Sequence, residues 1–259
     1  MGIRISSKEN KVYRDCIRLS RKKYRDREKR YLIEGENLIR EALCSGVGIV
    51  SLLIREGSFP EDEFGQEAYV TAPELFDRIA QTETSQGVLA VASRSEWSEA
   101  EVSDRCAGGR NIVVLDRLQD PGNIGTIIRT AEGAGYAAVV CMKGTADIYS
   151  PKVVRACAGS LFRMPVLQAG DVPALRELAG RLGKRLAVTC VENADRYDEL
   201  DLTENIALVI GNEGNGCSEE MIAAADLRVT IPMQGSLESL NASVAAGILM
   251  YETVRRRVR

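Results

Sequence analysis

Five polar side chains able to do chemistry without a histidine, Asn123, Arg129, Glu213, Ser239 and Asn241, stand shortly after three apolar runs. The first run, Ile112 to Leu115, is followed by Asp120-Pro121-Gly122-Asn123, turn residues that bond their own backbone. Ile124, Ile127, Ile128 and Ala131 then recur at helical spacing, so Arg129 projects from a helix whose first turn lies beside that loop. The second run, Ala207 to Ile210, leads into Gly211-Asn212-Glu213-Gly214-Asn215-Gly216, a loop whose glycines let main chain approach a ligand. The third, Val229 to Pro232, leads through Met233 and Gln234 to Ser239-Leu240-Asn241 and another helix. Buried strands ending in polar loops, with one cation on the next helix, are how α/β proteins build a site at the carboxyl end of a sheet.

What is missing narrows the chemistry. The chain has no histidine, which removes the usual general base, the usual metal ligand and any Ser-His or Cys-His nucleophile. Catalysis must therefore run on position and charge. Seven cysteines, at 16, 44, 106, 141, 157, 190 and 217, include no CxxC pair and are odd in number, which argues for reduced thiols and against a zinc knuckle or disulfide framework. Neither GxxxxGK[ST] nor a GxGxxG after the first strand occurs, which demotes a triphosphate loop, a dinucleotide fold and the glycine loop of classical methyltransferases.

At 259 residues, 45% hydrophobic and 27% charged, the chain can bury one large or two ordinary cores. Its apolar runs fall far short of a membrane span and no signal-peptide core opens it, so a cytoplasmic protein is expected. The formal net charge of −3 hides an asymmetry: residues 1–30 carry twelve Lys and Arg against four acids, a balance of +8 that leaves −11 elsewhere. A basic patch on an acidic body is an electrostatic footprint for phosphate; a merely solvated basic helix is the other reading.

The elements that must hold these residues follow from periodicity. A helix is expected from Ser7 to Ser20 with Ser7 near its cap, then an exposed segment over Arg21 to Arg30. Strands at Tyr31 to Gly35, Ile49 to Ile54, Ala68 to Thr71 and Gly87 to Ala92 alternate with helices at Glu36 to Leu43 and after Pro73. This predicts an amino-terminal domain over 1–93, a polar linker over 94–109 and a second domain over 110–259. In the latter, strands at Ile112 to Leu115, Ala137 to Met142, Leu186 to Cys190, Ala207 to Ile210 and Leu227 to Ile231, with a further one at Met164 to Leu167, alternate with helices near 122–135, 151–159, 172–182, 218–225 and 239–256. The fold class is α/β, with a mostly parallel sheet and helices on both faces. Leu240, Val244, Ile248 and Tyr251 line one face of the last helix.

The order and wording of the three loops, from Ile112 to Val254, resemble the motifs of the SpoU/TrmH family of RNA ribose 2′-O-methyltransferases, in the SPOUT superfamily. YLIEGENLIREAL and ETSQGVLAVAS resemble the family's ribosomal-protein-like RNA substrate-binding domain. Cys217 departs from the apolar Leu expected there. The resemblance implies a carboxy-terminal trefoil knot, a homodimer and S-adenosylmethionine as methyl donor, with no metal. It implies cofactor contacts from Gly211, Ile231 and Leu240, and more weakly from Thr189, Pro232 and Met233. It also places Asn123, Arg129, Glu213, Ser239 and Asn241 at the active site. A guanidinium keeps its proton and makes a poor base, so Arg129 reads better as a two-pronged phosphate clamp, with Glu213 buttressing it or the knot, or capping its own loop. Ribosomal RNA is the favoured substrate. A transfer-RNA ribose enzyme, a base-methylating relative and a non-catalytic RNA-binding protein are the alternatives.

Overall fold

The computed structural model describes residues 3–257, which divide into two compact units. One holds the chain up to Glu96 together with Asp147–Arg163; the other holds Trp97–Ala146 and everything from Met164.

The second unit is built on seven strands: β6 (Ile112–Leu115), β7 (Ala138–Met142), β8 (Val166–Ala169), β9 (Arg185–Thr189), β10 (Asp195–Arg196), β11 (Ile206–Ile210) and β12 (Leu227–Thr230). They run in the order β10-β12-β9-β11-β6-β7-β8, and every pairing is parallel. Residues of β6, β7 and β11 are buried throughout, which is why these strands appear in the sequence as unbroken β-branched runs. From β6 the chain moves outward through β7 to β8, then crosses to β9 on the other side. The order therefore reverses at β6 and β11, and the loops leaving β6, β11 and β12 all emerge at one end of the sheet, where such folds bind ligands.

Helices α5 (Glu99–Arg105), α6 (Pro121–Gly133), α8 (Val172–Arg181), α9 (Glu219–Ala223) and α10 (Ala242–Arg257) complete the unit. The stretch expected as a linker thus contains α5, fastened by a capping box in which Ser98 and Glu101 satisfy each other's main-chain N–H. Helices α6 and α10 pack together, and α10 buries Ala246, Leu249, Met250 and Thr253. Its other stripe points outward: Val244 is 50% and Tyr251 52% exposed. The last turn of α10 is pinned by Arg256 Nη1 donating to the Leu200 carbonyl at 2.9 Å and Arg257 Nε to that of Thr203 at 2.7 Å. Arg255 and Arg256 also grip Glu252, and these hydrogen bonds hold its carboxyl down at about 2.

In the first unit, β1 (Ile3–Ile5), β2 (Arg30–Glu34), β3 (Ile49–Arg55), β4 (Ala68–Thr71) and β5 (Val88–Ser93) form a mixed sheet in the order β1-β4-β3-β5-β2. Helices α1 (Lys11–Leu19), α2 (Lys22–Glu28), α3 (Glu36–Cys44), α4 (Pro73–Ile79) and α7 (Pro151–Ala156) accompany it. The cap of α1 is Asn10, whose Oδ1 accepts from the N–H of Val12 and Tyr13, so the helix starts later than Ser7. The segment expected to be exposed from Arg21 to Arg30 folds as α2 and then enters β2, and it buries Arg25. That guanidinium bonds Asp147 Oδ2 through Nε at 2.9 Å and Nη2 at 2.5 Å, and donates from Nη1 to the Leu19 carbonyl. A run too polar for a core hides one cation because a carboxylate 122 residues away meets it. Among the described residues no helix is long and apolar enough to cross a membrane.

Candidate active site

The loop after β6 begins with strain. Arg117 has φ of 59°, a left-handed conformation uncommon for a residue other than glycine, and its carbonyl accepts from Asn212 Nδ2 at 2.8 Å. Its guanidinium lies on the buried Asp116 at 3.0 Å. Downstream, Asp120 caps α6 by accepting from the Asn123 N–H at 2.8 Å, and Pro121 occupies the first turn, where no N–H is needed.

Glu213, from the loop after β11, fits against this cap. Its Oε1 accepts from the Asp120 N–H at 3.0 Å and from Asn123 Nδ2 at 3.2 Å, while Oε2 accepts from the Gln119 N–H at 3.1 Å. Burial pushes the Glu213 carboxyl up, but these hydrogen bonds outweigh it and hold the group below the usual carboxylate range. The carboxylate thus engages the main chain at the entrance to α6, not Arg129.

Asn123, 7% exposed, carries the connection onward: its Oδ1 accepts from Asn241 Nδ2 at 2.9 Å. Asn241 Oδ1 in turn caps α10, accepting from the Ser243 N–H at 2.9 Å and its hydroxyl at 2.7 Å. Glu213, Asn123 and Asn241 form one polarised chain across all three loops. Each amide has its oxygen and nitrogen assigned by the neighbour it must satisfy.

Arg129 and Ser239 stand outside that chain. Both are exposed, and among the described residues neither makes a hydrogen bond or ion pair. Arg129 lies two turns into α6, free to meet an anion. Asn212, Gln119 and Asp120 are the members of the network that the sequence reading did not single out. Asp120 could have been found as a cap residue three positions before Asn123; the others act through contacts that no local pattern reveals.

The expected cofactor residues fall into two kinds. Gly211 is buried, and a Cβ there would meet the Gly216 carbonyl carbon and the Cys217 nitrogen at 2.4 Å. Its lack of a side chain is required first by the loop's own return, closed by the paired Asn212 and Gly216. Cys217 packs beneath, its Sγ 3.8 Å from the Thr189 hydroxyl, and burial pushes this thiol to about 12. Thr189 itself is held by donating to the Val209 carbonyl at 2.9 Å.

By contrast, Ile231, Pro232, Met233 and Leu240 are half-buried on a segment whose main chain, from Pro232 to Leu240, makes no hydrogen bond among the described residues. Leu237 on the same segment is 69% exposed. The segment therefore offers main-chain N–H and C=O groups without a protein partner beside half-buried apolar side chains. No group of three or more His, Cys, Asp or Glu among the described residues could hold a metal ion.

Comparison with known proteins identifies relatives of both units. Residues 110–251 match the SpoU rRNA Methylase family, and residues 10–90 match the MRM3-like substrate binding domain. The chain is 37% identical over 249 residues, 95% of its length and 97% of the relative's, to the 23S rRNA (guanosine(2553)-2′-O)-methyltransferase RlmP of Bacillus subtilis. The structure superimposes on an AdoMet-bound rRNA methyltransferase of Sinorhizobium meliloti with a TM-score of 0.85 at 28% identity, covering 98% of this chain and 97% of that one. It superimposes on the SpoU methyltransferase AviRb of Streptomyces viridochromogenes, in complex with AdoMet, with a TM-score of 0.83 at 30% identity, covering 96% and 99%.

Proposed function

The chain belongs to the SpoU rRNA methylase family, and from that premise we propose that it transfers a methyl group from S-adenosylmethionine to a ribose 2′-hydroxyl of 23S ribosomal RNA. The observation that carries the reading is the chain from Glu213 through Asn123 to Asn241. It joins the three loops into one frame and leaves Arg129 unpaired beside it.

When bound, the cofactor supplies a methyl carbon made electrophilic by its sulfonium. The protein's share is placement. Arg129 grips a phosphate next to the target nucleotide with both prongs of its guanidinium, and so fixes where the 2′-oxygen stands. The hydroxyl proton of the nucleotide so held leaves to water. The positive charge of Arg129 stabilises the oxygen while it carries negative charge. Asn123 and Asn241, oriented by Glu213, hold the loops around that oxygen, and Ser239 supplies a hydroxyl to position it.

Gly211, Ile231 and Leu240, with Thr189, Pro232 and Met233, form the cofactor cradle. The loops over 211–217 and 231–241 would make the knot that the family resemblance implies. The outward Val244 and Tyr251 of α10 supply the apolar surface of a homodimer, which belongs with its RNA in the cytoplasm. Ribosomal RNA is preferred over transfer RNA because the full-length relative acts on 23S rRNA.

The test is mapping of 2′-O-methyl marks in ribosomal RNA from cells lacking the protein, then assay of an RNA carrying one 2′-deoxy substitution at the missing mark. The deoxy RNA should bind and accept no methyl group. Methylation of that RNA at the normal rate would move the reaction to a base.

A further inference from the structure

The twelve cations of residues 1–30 are not equivalent once folded. Arg4 is paired with Glu56, Arg25 with Asp147, Arg27 with Glu28 and Lys29 with Glu96. Those four are occupied, and one of them is buried. A different set faces an open groove of about 420 Å³ between α1 and α4. It is lined by Lys8, Arg14, Arg18 and Arg78, with Tyr13 and Ile17 as its floor and no carboxylate among the lining groups.

Arg78 is the informative member. It comes from α4, outside the basic segment, and makes no hydrogen bond or ion pair among the described residues. Lys8 is likewise unpartnered. Arg14 and Arg18 have only Glu9 at 3.6 Å and Asp15 at 3.9 Å, between side chains that are largely exposed. Pairs that long and that wet exchange readily for a phosphate. Along α1, Lys11, Arg14 and Arg18 succeed one another about one turn apart, roughly 5.4 Å of helix axis each. Ile17, 42% exposed, offers an apolar strip between these cations, and Tyr13 is too buried to stack on a base. Cations spaced along a helix and backed by an apolar strip suit a run of phosphates.

We propose that this groove docks the sugar–phosphate backbone of the substrate RNA, supplying affinity without sequence preference. The inference rests on the ribosomal-RNA reading above and narrows it: the contact is Lys8, Arg14, Arg18 and Arg78, not the basic segment as a whole. Each cation meeting a phosphate releases counterions and adds about 0.7 to 0.9 to the slope of log affinity against log salt.

The experiment uses full-length protein and 23S ribosomal RNA transcribed in vitro, with binding measured across a salt series. Arg78→Ala should lower the slope by about one, and the triple variant Arg14→Ala, Arg18→Ala, Arg78→Ala by about two to three, with affinity at 0.1 M salt falling on the order of 10²-fold. S-adenosylmethionine affinity and turnover at saturating RNA should not change. Lys22→Ala with Lys23→Ala, two exposed cations of α2 outside the groove, is the matched control and should leave the slope near that of the parent.

A parental slope in the triple variant overturns the proposal, as does a control that loses as much as the groove variants. So would equal binding of polyglutamate that disappears in the same variants, since the groove would then be a site for acidic protein. If the parent protein binds RNA with the expected slope but places no methyl group, the catalytic reading fails while the groove stands.

Discussion

The loops after β6 and β11 are closed on themselves, whereas the segment after β12 is open. In the first pair almost every polar group has a partner within the protein: Asn212 holds the Arg117 carbonyl, Glu213 holds two main-chain N–H groups and Asn123, and Gly211 lets the loop fold back on itself. In the second, from Pro232 to Leu240, the main chain has no partner at all among the described residues. Asn241, at its end, ties the open side to the closed one by donating to Asn123 Oδ1. The difference teaches which half of the site is ready before anything binds. On the proposed reading, the closed half would position its groups at little further entropic cost, and the open half would be completed by the cofactor.

The largest expected effect comes from Arg129, whose side chain has no hydrogen-bond or ion-pair partner among the described residues. Arg129→Lys keeps the charge but loses the planar fork, and a misplacement of about 1 Å costs on the order of 10²-fold in turnover. Because the exposed Arg129 side chain makes no hydrogen bond or ion pair among the described residues, the thermal midpoint and the S-adenosylmethionine affinity should stay at the parental values. Single-turnover methylation and calorimetry on the same preparations check both halves of that statement. Near-normal turnover would remove the clamp from the mechanism.

Gly211→Ala tests whether the closed half must stay closed. The added methyl would stand 2.4 Å from both atoms of the Gly216–Cys217 peptide bond, so the loop must open to admit it, at about 1–3 kcal/mol. Cofactor affinity should fall with stability, unlike in Arg129→Lys. A variant that stays as stable as the parent would show that the loop relaxes freely and that its closure is incidental.

A smaller effect is expected from acid. The Glu213 carboxyl is held below its ordinary value of 4.5, so the stability it contributes is fully present above that pH and is lost as pH falls through the lower folded-state value. Between pH 5 and 8 the loop frame should therefore be insensitive to pH. Unfolding midpoints of the parent and of Glu213→Gln should differ by a constant in that window and converge in stronger acid. A gap that widens toward pH 8 would contradict the assignment.

How much of this could be read from the sequence follows burial. Strands β6, β7 and β11, covered on both faces, are unbroken apolar runs and stand within a residue of where periodicity puts them. Edge elements carry weaker patterns: β8 lies two residues later than expected, and β10, two exposed residues, and β1, three residues of which only Ile5 is buried, are too short to leave a signal. Helix α5 was legible in Ser98-Glu99-Ala100-Glu101, a capping-box spacing overlooked inside a polar stretch. The burial of Arg25 was not, because nothing near it announces Asp147. In the site the same division holds. The order of the three loops marks Asn123, Glu213 and Asn241 as candidates, but the bonds between them span 90 and 118 residues. The left-handed turn at Arg117 has no sequence mark, since the usual Gly or Asn is absent there.

The finest test of the contrast leaves the sequence unaltered. Amide hydrogen exchange reads local opening, and an N–H without an acceptor exchanges at nearly the rate of an unfolded peptide. Without cofactor, the amides from Met233 to Leu240 should exchange fast, while those of Gln119, Asp120 and Asn123, each bound to a carboxylate oxygen, should exchange slowly. Adding S-adenosylmethionine should slow the first group, because its main chain then gains acceptors. The second group should barely change, because its acceptors were there already. The effect per residue is small, a few-fold to tens-fold in rate, but its pattern is specific. If both groups gain protection equally, the cofactor stabilises the unit as a whole and the closed half is no more prepared than the open one. If neither gains, the ligand does not use the segment after β12, and the cradle must be sought at the ends of β9 and β11 alone.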